Sequence, residues 1–144
     1  VTVGNTQKLQ NGGGSFNFLG GLSLETGSEL IGQGKQVSGN IVLNGGQIAT
    51  EQNTVLTDNL TLSADSTLQI DTSKTLTYSG AVVDIGTSKL NIQGGGSFIN
   101  SAVSALSLNN AGSHLVLDNV TVGFVTASAA SNSSKGLKVS VDST

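Results

Sequence analysis

His114 is the sole imidazole of the chain, so a serine–histidine–aspartate relay would have to be built around it. Its neighbours Ser113 and, by sequence echo, Ser28 sit in no nucleophile-elbow motif. Gly112-Ser113-His114-Leu115 aligns with Gly27-Ser28-Glu29-Leu30, which makes His114 a solvent-facing strand residue with no catalytic role. Asp58, Asp65, Asp71 and Asp84 carry the carboxylates that Ca²⁺-assisted polysaccharide cleavage would need. That chemistry also asks for a basic partner, and the chain contains no arginine. All four aspartates fall at turn positions, where a carboxylate caps local backbone N–H groups.

The glycine runs Gly12-Gly13-Gly14 and Gly94-Gly95-Gly96 lack the lysine–hydroxyl pair of a phosphate loop and the spacing of a dinucleotide fingerprint. They are expected to make tight corners before inward-facing Phe16 and Phe98. Thr75-Leu76-Thr77 stands alone, without the threonine ladder that an ice-binding face requires. Tyr78 is the one ring expected to be exposed for stacking on a sugar. Sequons occur at Asn59-Leu60-Thr61, Asn119-Val120-Thr121 and Asn132-Ser133-Ser134, the last in a loop-like stretch. No calcium-binding glycine–aspartate repeat, cysteine or methionine is present. No metal, cofactor or catalytic residue is assigned.

These residues must be placed by a chain of 144 residues with 36% apolar and only 10% charged side chains. That length fits one domain. Charged residues stand well below the roughly 25% of ordinary globular proteins, so Ser, Thr, Asn and Gln must cover the surface. Abundant Val, Ile and Thr argue against disorder. With 20 glycines and no proline, every tight bend falls to Gly, Asn or Asp. A net charge of −3 removes the basic footprint of nucleic-acid binding. No apolar run approaches the ~20 residues of a membrane span. The chain opens at Val1 without methionine, and is expected to be a mature chain or fragment whose targeting segment lies outside it.

Apolar–polar–apolar triplets recur throughout, as in Leu22-Ser23-Leu24, Leu60-Thr61-Leu62, Leu90-Asn91-Ile92 and Val120-Thr121-Val122. Period two means strand. Leu22, Ile41, Leu60, Val83 and Leu106 are spaced by 19, 19, 23 and 23 residues. Leu30, Ile48, Leu68, Leu90 and Leu115 form a second series; Val37, Val55, Leu76, Phe98 and Val120 form a third. Three strand positions therefore recur in each period. The pattern predicts an all-β parallel β-solenoid of about five to six turns, with three short strands per turn. An antiparallel β-sandwich is the alternative. The glycine runs echo each other at an offset of 82 residues, and the first turn is expected to begin before Leu22. Residues 1–125 are the expected solenoid body, 126–136 a flexible loop or tether of linker composition, and 137–144 a terminal strand.

Segments such as Leu60-Thr61-Leu62-Ser63-Ala64-Asp65-Ser66-Thr67-Leu68-Gln69-Ile70 and Leu106-Ser107-Leu108 through His114-Leu115-Val116-Leu117 resemble the passenger regions of bacterial autotransporters and filamentous-haemagglutinin-type adhesins, over roughly residues 8–125. The chain is similar in style to bacterial surface-fibre proteins more generally. The resemblance implies a right-handed parallel β-helix at a cell surface, engaged in adhesion, aggregation, biofilm or fibre building rather than catalysis.

The expected function is thus an extracellular structural or adhesive module without enzyme activity, either a self-associating fibre subunit or a repeat segment of an adhesin. Its partners would be other copies of itself, the rest of a longer surface protein, or host or matrix glycans, with no nucleic acid and no membrane insertion. The alternative is a carbohydrate-binding or carbohydrate-degrading β-helix module. A solenoid has open ends whose backbone groups invite pairing. Val1 and Val3 at one end, with Leu137, Val139 and Val141 at the other, are the candidate assembly residues.

Overall fold

The computed structural model describes residues 1–80, 83–100, 106–107, 113–124 and 136–140. The chain winds as a coil of rungs. The first rung contributes β1 (Thr2–Val3), β2 (Lys8–Gln10) and β3 (Phe16–Asn17); the second, β4 (Leu22–Glu25) and a ten-residue β5 (Glu29–Ser38). The third repeats that form with β6 (Ile41–Asn44) and β7 (Gln47–Leu56). Then come β8 (Leu60–Ala64), β9 (Ser66–Ile70) and β10 (Thr75–Tyr78), followed by β11 (Val83–Asp84), β12 (Lys89–Gln93) and β13 (Ser97–Asn100). The sixth rung holds β14 (Leu106–Ser107), β15 (His114–Asp118) and β16 (Thr121–Phe124), and β17 (Gly136–Ser140) lies beyond it.

Each strand pairs in parallel with its counterparts one rung away. The first face is a six-stranded sheet in the order β1-β4-β6-β8-β11-β14, so five turns of coil separate its first and last strands. Parallel pairing on every face establishes the β-solenoid and excludes the antiparallel sandwich. The repeat places three strands in every turn. In the second and third rungs the second and third faces instead share one continuous strand, β5 or β7. In β5 the register shifts at Gly32/Gln33, and Gly34 and Lys35 turn at φ 96° and 63°. Later rungs insert an interrupting turn: Lys74 N–H closes onto Asp71 O at 2.9 Å, and Gly94 and Gly95 turn at φ 115° and 84°.

The core follows from the alternation. Leu22, Ile41, Leu60 and Val83 stack inward in register on the first face, each at most 3% exposed. Burying such a side chain contributes roughly 1.5–3 kcal/mol. On the second face Leu30, Ile48 and Leu68 stack as expected, but Leu68 meets Ile92, while Leu90 meets Ser66. The register is two residues from the expected one, because the corner before β12 carries an extra turn, closed by Ser88 N–H to Ile85 O at 3.0 Å. On the third face Val37 stacks on Leu56 rather than Val55, Thr77 rather than Leu76 meets Val55, and Phe98 stacks on Val122 rather than Val120. Tyr78 is also corrected: it stacks on Leu56 and is 1% exposed. Phe98 is buried as expected, whereas Phe16, on the first rung, is half-buried.

Coil ends and a corner groove as candidate functional sites

The sequence-flagged carboxylates are separate caps. Asp58 Oδ2 accepts the N–H of Gly39 at 2.7 Å and the hydroxyl of Thr57 at 3.0 Å. Asp65 Oδ1 accepts the N–H of Lys89 at 2.8 Å. Asp84 Oδ1 takes the N–H of Gly86 at 2.9 Å. Only Asp84 caps its own turn; Asp58 and Asp65 each hold backbone of an adjacent rung, so they pin coil to coil. Asp71 serves through its backbone carbonyl, in the turn to Lys74. Among the described residues no three of His, Asp and Glu come together as a metal-ligand group. His114 is an exposed strand residue in register with Lys89.

Outward side chains also tie rungs together. Glu25 accepts the Ser23 hydroxyl and the Asn44 amide, each at 2.7 Å, and these hydrogen bonds, Ser23 first, hold its carboxyl below the usual glutamate range. Lys8 pairs with Glu29 at 2.6 Å, and Glu29 also accepts Gln47 at 3.0 Å. Hydrogen bonding to Glu29, then its charge, raises the Lys8 pKa. Gln33 donates to Glu51 at 2.8 Å and Gln93 to Gln69 at 2.9 Å. Stacked amides and carboxylates thus replace the dense charge of an ordinary surface.

Among the described residues the two ends of the coil present strand edges. At one end β1 pairs with β4 alone, and β2 and β3 with β5 alone; at the other, β14, β16 and β17 end their faces among the described residues. Val1 is 67% exposed, but Val3 points into the core at 6%. Leu137 and Val139 lie in β17, in register with Leu115 and Leu117 of the same chain. Val141, residues 126–135 of the expected tether and the sequon at Asn132 lie outside the described residues.

A groove of about 680 Å³ opens along the corner between the third and first faces. Thr2, Ser23 and Val42, successive members of one outward column, form one wall. Phe18, Leu19 and Asp58 also line the groove. This corner is two residues longer in the first rung, Phe18–Gly21, than in the second, Gly39–Asn40, and Gly21 N–H closes it onto Phe18 O at 2.7 Å. The turn thrusts Leu19 outward, to 94% exposure. Phe18 rests tilted on Phe16, ring centroids 5.3 Å apart. The sequence assigned no role to Phe18 or Leu19; the available signal was an apolar pair just before Gly20-Gly21, inside a corner.

Comparison with family models, curated proteins and solved structures finds no match. The class defined by fold and surface is a parallel β-solenoid that carries a corner groove.

Proposed function

We propose that this protein is an extracellular structural and adhesive module, a solenoid rod that associates with further copies of itself in a surface fibre or an adhesin. The observation that supports this is the continuity of strand stacking along the described residues: among them β1, β2 and β3 are each paired on one side, and the other side matches a further rung, whether of a longer chain or of another copy. End-to-end contact of unlike ends does not close, so it propagates into filaments. The sparse charge, 10% of residues, lowers repulsion between stacked copies.

β17 offers one route. It pairs with β15 over five positions, His114↔Gly136 to Asp118↔Ser140, and β15 of a neighbour presents the same edge. Electron microscopy and sedimentation of concentrated protein test the proposal: filaments or end-to-end oligomers are expected, and a monomer at all concentrations overturns self-association. Deleting residues 137–144 tests the route. Loss of polymers with a folded body supports strand exchange, whereas unchanged polymers or an unfolded body remove it.

A further inference from the structure

We infer that the corner groove binds a neutral, extended oligosaccharide, one sugar to each rung. The inference deepens the adhesive part of the function proposed above and is independent of self-association. The first ground is direction. Thr2, Ser23 and Val42 face the groove from three consecutive rungs, so it runs along the stacking axis. Paired strands repeat at about 4.8 Å, close to the advance per residue of an extended, equatorially linked hexose chain. Successive sugars would meet equivalent positions of successive rungs.

The second ground is chemistry. A sugar ring has an apolar face of C–H groups and an equatorial rim of hydroxyls. Leu19 and the half-buried ring of Phe18 give the apolar surface, and Phe16 behind Phe18 fixes its tilt. Asn17, Asn40 and Asp58 bring planar amide and carboxylate groups, which suit adjacent hydroxyls. Asp58 is held in place by Gly39 N–H and the Thr57 hydroxyl. A Cβ on Gly20 would meet nothing within 4 Å, so the turn leaves room for a ring to approach the backbone. The volume, about 680 Å³, falls within the ~300–1,000 Å³ of small-molecule sites.

The third ground is charge. Asp58 is the one charged side chain among the lining residues, and the α-amino group of Val1, donating to Gly21 O at 2.9 Å, balances it, so the lining offers no cluster of cations for an acidic polysaccharide and suits a neutral one. A docked protein chain would be anchored by a continuous apolar floor, whereas here the lining mixes polar and apolar residues.

Titration of the whole chain with cellohexaose and chitohexaose, with hexagalacturonate as the acidic control, tests the inference by amide NMR shifts. A neutral hexasaccharide is expected to move resonances of Phe18–Gly21, Asn40 and Asp58. Leu19→Ala and Asn40→Ala, both at exposed positions, should each weaken binding about tenfold without changing the melting temperature. Absence of shifts with both neutral sugars, shifts centred elsewhere, or equal binding of the acidic control overturns it. So does a Leu19→Ala variant that alters only sedimentation, which would make the groove a self-docking surface. Sedimentation and microscopy of the same sample report filament formation separately, so failure of the sugar site and failure of self-association are distinguishable.

Discussion

The middle and first rungs carry the same kinds of side chain at the same inward positions, yet they bury them differently. Ile48 and Leu56 are at most 1% exposed, whereas Leu9 and Phe16, their first-rung equivalents on the second and third faces, are only half-buried. Leu30 and Leu68 enclose Ile48 from both sides; Leu9 has Leu30 on one side. Burial in a solenoid is therefore a property of the stack, and a rung becomes core only when the next is laid on it.

The largest expected effect breaks the middle of the stack. Leu68→Asp would place an unpaired carboxylate between Ile48 and Ile92, at a cost above ~4 kcal/mol, enough to abolish cooperative folding. Gln69→Asp, on the outward side, loses one amide contact and about 1 kcal/mol. Equal melting temperatures for the two variants would contradict the register.

A gentler pair sharpens the comparison between rungs. Ile48→Ala should cost ~2–5 kcal/mol and Leu9→Ala about 1 kcal/mol, since only the former leaves a closed cavity. Denaturant unfolding measures both; similar losses would mean that the first rung is as enclosed as the middle.

Next in size is a gain. The Thr50 hydroxyl is fully buried and lacks a hydrogen-bond partner among the described residues, in a column between Gly32 and Ile70. Thr50→Val should stabilise by ~1 kcal/mol by removing an unsatisfied group, seen as a raised melting temperature.

The smallest effect is electrostatic and confined to the outer surface. Glu25 has a lowered pKa, so its contribution is complete above the ordinary glutamate range and fades as pH falls through the folded value. Lys8 has a raised pKa, so its contribution is complete below the ordinary lysine range and fades as pH rises through the folded value. Melting temperatures from pH 3 to 7 should show a shallow acid-side loss, diminished in Asn44→Ala.

The first face was legible residue by residue because its triplets are flush and its inward members unambiguous: Leu22, Ile41, Leu60 and Val83 stack as their spacing predicts, and Leu106 is in register with Val83. The other faces were legible in kind but not in register. A shift of two residues keeps every side chain on its own side, so apolar spacing could not separate Leu90 from Ile92 as the partner of Leu68. At Val55-Leu56 two apolar residues adjoin and the pattern names neither. Tyr78 was misplaced because its ring type suggested a surface role, while its position two residues after Leu76 put it inside. The groove was illegible for another reason: it arises from a two-residue difference between neighbouring corners, which no single rung displays.

The short reach of the pairing bears on how the chain folds. Ile41 is 19 residues from Leu22, and Ile92 is 24 from Leu68. Long-range strand pairing is slow when large loops must close first, but here each closure spans only one coil, however long the coil becomes. Any adjacent pair of rungs can serve as a nucleus, and growth proceeds from it in either direction by repeating one small entropic step. Lengthening such a rod by further rungs would leave its rate-limiting search nearly unchanged.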